Sequence, residues 1–265
     1  MKNGFRLQVQ GRAIGYETGP RGIEPGRPTV VLLPGAGGST LAWRVQLRLL
    51  DHRVNALAVD PPGRGWTPGP PLTRIRDWAD WTAALIAALP LTNTPVLAGL
   101  SLGGAAAIET ALVHPDRISG LVLVSTGARL AGNPVLADRT DAPPITAERL
   151  AEWFFGPNAS PALARQSAAI LAGVPPEAMR ADLAAGRSFD RRADLARIRV
   201  PALVLCGDRD RITPPEMSRA LADGLPRARL VLLPGAGHMA VIERARDIGR
   251  LILDFVDPPT RQIIS

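Results

Sequence analysis

A chain of 265 residues with 46% hydrophobic content is sized and composed for one globular domain with a full core. Its net charge of +7 comes almost wholly from arginines dispersed along the sequence, with Lys2 the only lysine. No Walker A loop or Schiff-base lysine is therefore available, and no basic stripe points to nucleic acid. Cys206 is the single cysteine, which excludes an intrachain disulfide; its apolar setting reads as a buried core thiol rather than a nucleophile. The first residues carry no apolar signal segment and no apolar run approaches about 18 residues, so a cytoplasmic protein without a membrane span is expected.

Short apolar runs alternate with longer helical patterns. Strands are predicted at Arg6–Gln10 and Ala13–Glu17, as an opening antiparallel hairpin, and then at Thr29–Leu33, Val54–Val59, Val96–Leu100, Leu121–Ser125, Ala202–Gly207 and Arg229–Leu233. The central ones are nearly continuous Val, Leu and Ala, as in a parallel sheet buried on both faces. Helices are predicted at Thr40–Leu50, Ile75–Leu89, Ser101–His114, Pro215–Gly224 and Ile242–Val256. This is an α/β pattern, a mostly parallel sheet of eight strands flanked by helices. Between Ala128 and Phe189 the rhythm changes to short amphipathic helices, Thr146–Phe155, Pro161–Leu171 and Pro176–Ala185. Residues 128–189 are read as a small helical cap inserted into a core domain made of 1–127 and 190–265.

Gly99-Leu100-Ser101-Leu102-Gly103 stands between a predicted strand and a small-residue helix. A strand, sharp turn and helix with serine at the bend presents the hydroxyl at the sheet edge. Serine needs a base, and the base needs a carboxylate to fix its tautomer. Of the three histidines, His238 follows the last predicted strand in a Gly-rich loop and is the expected base; His114 reads as a helix-terminus residue, too many turns from Ser101 to reach it. The acid is Asp210 or Asp208, with Asp210 preferred. An oxyanion needs fixed N–H donors. Leu102, at a helix N-terminus, offers one, and the Pro34–Ser39 loop offers the second, from Ala36 or, as the near alternative, Gly37. That loop is not a dinucleotide fingerprint, because Thr40 occupies the third glycine position.

In joint order, Leu33-Pro34-Gly35-Ala36-Gly37-Gly38, Val59-Asp60-Pro61-Pro62-Gly63-Arg64-Gly65, the Ser101 motif, Pro115-Asp116-Arg117-Ile118, Gly207–Pro214 and Gly237-His238 resemble the α/β-hydrolase family over essentially the whole chain. The resemblance aligns the acid with Asp210 and makes Asp60 structural. It departs at Pro34, where many members have His, and at Trp66-Thr67, where many have Ser; Trp66 either packs on the pocket or covers the loop. The combined expectation is a serine hydrolase acting on short- to medium-chain esters or lactones, with Ser101, His238 and Asp210 as triad. Gly37, Trp66, Trp153, Phe154 and Met239 are the candidate pocket residues. Neither cofactor nor metal is expected, and the chain is a monomer or homodimer. C–C bond hydrolysis, thioester hydrolysis, acyl transfer, perhydrolysis or non-catalytic ligand binding are the alternatives.

Overall fold

A computed structural model of the protein describes residues 4–9, 11–130 and 153–258. In chain order its main elements are β1 (Gly4–Val9), β2 (Arg12–Thr18), β3 (Thr29–Leu33), α1 (Arg44–Leu50), β4 (Asn55–Val59), α2 (Ile75–Ala88), β5 (Val96–Leu100), α3 (Leu102–Val113) and β6 (Gly120–Val124). They continue with α4 (Pro161–Ala172), α5 (Pro176–Arg187), β7 (Ala202–Gly207), α6 (Pro215–Gly224), β8 (Ala228–Leu233), α7 (Ala240–Glu243) and α8 (Ala245–Val256). The strands form one sheet in the order β1-β2-β4-β3-β5-β6-β7-β8. The β1–β2 and β2–β4 pairs are antiparallel and all others parallel. The carboxyl ends of β3, β5, β7 and β8 therefore open on one edge, where such sheets place ligands.

Alternation along each strand divides the core in two. Val31, Leu33, Leu97, Leu121, Leu123 and Val204 face one apolar layer with Trp78 and Leu85 of α2, Ile108 of α3 and Leu221 of α6. Val30, Leu32, Ala98, Val122, Val124, Leu203 and Leu205 face the other, with Leu47 of α1 and Ile248 and Ile252 of α8. Burial on both faces is why these strands carry no polar alternation.

Several edges differ from their predicted positions, each for a local reason. Val54 lies outside β4 because its N–H is taken by Leu50 O at the end of α1 (3.1 Å). Ser125 lies outside β6 because its φ of +49° is incompatible with extended backbone. The helix predicted at Thr40–Leu50 begins as a 3₁₀ turn over Thr40–Trp43, and the one predicted at Ile242–Val256 is interrupted at Arg244 (φ −121°, ψ 39°). Gln10 and most of the helix predicted at Thr146–Phe155 lie outside the described residues.

The insertion between β6 and β7 departs and returns at one place. Leu130 N–H donates to Phe189 O (3.1 Å), and Arg191 N–H to Ala128 O (2.7 Å). Arg191 also clamps the buried Glu109 of α3 with two hydrogen bonds, at 2.6 and 2.7 Å. Proline starts both insertion helices, and Ser160 caps α4 through Leu163 N–H (3.3 Å). Among the described residues no helix is long and apolar enough to cross a membrane.

Candidate active site

Ser101 occupies the bend between β5 and α3 with φ +53° and ψ −116°. A positive φ at a residue bearing a side chain is strained and persists only where surroundings impose it. Here Ser101 N–H is held by Val124 O (2.9 Å) and Ser101 O by Thr126 Oγ1 (2.8 Å). The glycines around it answer a crowding problem. A Cβ on Gly103 would lie 2.6 Å from Leu33 O, and one on Gly35 would come within 3.3 Å of Ser101 Cβ. The serine, the start of α3 and the loop after β3 are thus packed backbone against backbone.

His238 and Asp210 meet across the loops after β8 and β7. His238 Nδ1 lies 2.9 and 3.1 Å from the two carboxylate oxygens of Asp210, and both side chains are buried. Asp210 also accepts the N–H groups of Ile212 and Thr213 (2.9 Å each) and the hydroxyl of Thr213 (2.8 Å). Burial alone would raise its pKa. The facing imidazole's charge and hydrogen bond, with the Thr213 bonds, outweigh it and hold the carboxyl below the usual range. An ionised Asp210 is acceptor only, so the His238 proton belongs on Nδ1 and Nε2 is left with its lone pair. Asp208 has a different task, accepting Gly235 N–H (2.7 Å) and shaping the loop that carries His238.

Two donors expected for an oxyanion, the N–H groups of Ala36 and Leu102, have no acceptor among the described residues. Leu102 is the first residue of α3, where an orphan N–H and the helix dipole coincide. The near alternative, Gly37, is committed elsewhere: its N–H donates to Asp182 Oδ2 (2.7 Å).

Other expected residues are distributed as follows. Phe154 lies against the His238 ring at 5.5 Å between centroids, and its carbonyl accepts Met239 N–H (2.9 Å). Met239 is half-buried on the core layer of α1 and α8, and Trp153 is half-buried. Gly37 is covered by Met179 of α5 and Leu171 of α4. Trp66 has the contacts of a loop cover: Arg6 lies over its ring at 6.0 Å, and its backbone crowds Gly15 of the edge hairpin. Phe155 and Phe189 are buried as packing residues. Asp60 accepts Thr40 N–H (2.8 Å) and Trp66 N–H (2.9 Å), tying two loops together, while burial raises its pKa. Cys206 is buried in β7 with its thiol pushed up to about 12 by burial and then by the Asp210 charge, which leaves it protonated and inert. His114 caps the end of α3 and meets Asp80 (2.7 Å).

Two partners of the site, Glu243 and Asp182, have no motif that would reveal them, and the Gly207–Pro214 segment does not mark the Thr213 hydroxyl as a partner of Asp210. Glu243 accepts Gly237 N–H on one oxygen and Gly156 N–H on the other (2.8 Å each), joining the histidine loop to the insertion. Burial raises its pKa, and these two amides limit the rise. A cleft of about 930 Å³ opens between segment 155–165 and loop 208–216; Ser101 and His238 are not among its walls.

A family model described as "Alpha/beta hydrolase family" matches residues 30–250. The chain belongs to the alpha/beta hydrolase family. A relative in Variovorax paradoxus that bears the provisional name carbamate hydrolase RutD is 34% identical, over 86% of this chain and 91% of its own. The pimeloyl-[acyl-carrier protein] methyl ester esterase of Neisseria meningitidis is 33% identical, over 86% of this chain and 76% of its own. Among solved structures, the enol-lactonase of Burkholderia xenovorans superposes with a TM-score of 0.82 at 26% identity, covering 95% of this chain and 99% of that one.

Proposed function

We propose that this alpha/beta hydrolase is a serine esterase that cleaves short- to medium-chain carboxylic esters or lactones through an acyl-enzyme. The observation that carries the reading is the buried Asp210–His238 pair, which leaves Nε2 as a base on the sheet edge where the strained Ser101 stands. Ser101 Oγ attacks the carbonyl carbon as its proton passes to His238 Nε2. The Ala36 and Leu102 N–H groups receive the oxyanion. Collapse expels the alcohol with the proton from Nε2; water then enters by the same route, and the acid leaves. Asp210 stays ionised throughout and stabilises the imidazolium.

In this reading α4 and α5, with Phe154, act as a cap over this centre. Phe154 beside His238, with Met179 and Leu171 over Gly37, supplies apolar walls for a modest acyl or alcohol group. The names of the relatives, for a carbamate, a methyl ester and an enol-lactone, share attack on a carbonyl carbon bearing a heteroatom and support the same class of reaction.

The test is hydrolysis of p-nitrophenyl esters from acetate to palmitate, together with a lactone and an aryl carbamate, by wild type and Ser101→Ala. Turnover peaking between C2 and C8 that falls by roughly 10³-fold or more in the variant is expected. Equal rates in both proteins would overturn the reading.

A further inference from the structure

Asp182 is a fully buried acid on a helix whose other charged residues, Glu177, Arg180 and Arg187, are exposed. Its carboxylate takes both terminal nitrogens of Arg64, Nη2 at 2.8 Å from Oδ1 and Nη1 against Oδ2. Arg64 is buried as well, with its guanidinium 5.6 Å from the centroid of Trp78 in α2. Oδ2 has one further partner, the N–H of Gly37. A helix of the insertion thereby reaches both the loop after β4 and the loop that carries Ala36.

The Gly37 contact matters because of the turn it belongs to. Gly38 N–H donates to Gly35 O (2.9 Å), and Gly37 has φ +67° while Ala36 has no positive φ. Gly35–Gly38 is therefore a type II turn, which differs from type I chiefly by a flip of its central peptide, here Ala36–Gly37. In the observed flip Gly37 N–H points at the carboxylate. In the other, Ala36 O would turn toward that carboxylate, oxygen against charged oxygen. The acid thus selects one of two orientations of the peptide that follows the Ala36 N–H.

We propose that Asp182 is a positioning residue for the oxyanion loop: through Gly37 N–H it anchors the Gly35–Gly38 turn, and with it the place of Ala36 N–H, to the insertion. This rests on the esterase reading above for its effect on catalysis, but not for its effect on the turn.

Truncating Asp182 alone would strand a buried guanidinium, so the test uses paired variants. Arg64→Met with Asp182→Leu removes both charges and the acceptor; Arg64→Met with Asp182→Asn removes the charges but keeps an acceptor for Gly37 N–H. The expected result is a kcat lowered roughly 10- to 100-fold in the Met/Leu pair with KM changed less than about threefold, and recovery of most of that loss in the Met/Asn pair. Equal kcat in the two folded pairs would overturn the proposal. Amide exchange by NMR tests the turn directly in the unaltered protein, where Gly37 N–H should be protected and Ala36 N–H should exchange quickly. Equally fast exchange at both also overturns it, whether or not the variants fold. If Ser101→Ala is as active as wild type, the esterase reading falls while the exchange experiment still decides the turn.

Discussion

Asp210 keeps its charge against burial because four donors converge on its two oxygens, and that charge dictates which nitrogen of His238 carries the proton. Asp210→Asn preserves the shape and reverses the instruction. The loop amides claim the Asn oxygen, its NH₂ then faces Nδ1, and the imidazole adopts the tautomer with the proton on Nε2. A loss of about 10³- to 10⁴-fold in kcat is expected at neutral pH, measured on the best ester of the series. The sign of the pH effect on stability follows from the same contacts. A carboxyl held below its ordinary range of about 4 stabilises the fold above that range, and the contribution disappears as pH falls through the depressed value. Urea titrations between about pH 5 and pH 2 should show a shallower acid decline for Asp210→Asn than for wild type.

The start of α3 is an element whose position is set by what is missing from Gly103. Gly103→Ala adds helix propensity worth up to about 1 kcal/mol. It also drives a methyl group into the backbone of Leu33 and Pro34, and overpacking of that kind costs about 1–3 kcal/mol. The second effect should win, lowering the melting temperature and, because α3 must shift with its Leu102 N–H, lowering kcat too; unchanged values for both would refute this. At this scale the sequence was most readable where one signal dominated. Thr29–Leu33, Val96–Leu100 and Ala202–Gly207 are strands at their predicted limits because nothing but burial governs them. Val54, Ser125 and Arg244 were misplaced because a helix end, a strained φ and a local break decide them, and these are tertiary facts. Loop position and chain order narrowed the partner of His238 to Asp210 or Asp208, and the family resemblance favoured Asp210, which is the residue that meets it. Asp182 was not legible: an acid on an amphipathic helix reads as solvated, and its partners Gly37 and Arg64 lie 145 and 118 residues away. Glu243 was hidden likewise, since the N–H groups it accepts could come from any residue, and nothing in the Gly207–Pro214 segment marks the Thr213 hydroxyl as a partner of Asp210.

The whole molecule is a sheet between two apolar layers, and both layers must be intact for the edge loops to hold their relative positions. Leu97 faces one layer and Leu205 the other, and each is fully buried. Truncation of either to alanine should cost about 2–5 kcal/mol in urea unfolding, through lost transfer energy and the cavity left behind. Because the layers share one sheet, each variant should unfold in a single transition shifted to lower urea, with kcat near wild type well below the midpoint. Two separated transitions would mean that the layers melt independently.

The backbone pairing at Ala128–Leu130 and Phe189–Arg191 makes the intervening stretch a module with adjoining ends, a natural seam for exchange. Recombination at that seam could give the scaffold new clientele without rewiring the sheet. The module is not wholly interchangeable, however. An incoming segment inherits a debt to Arg64: unless it brings an acid to the place of Asp182, it leaves a cation stranded in the interior, so the repertoire of acceptable grafts is narrowed by one ion pair outside the seam itself.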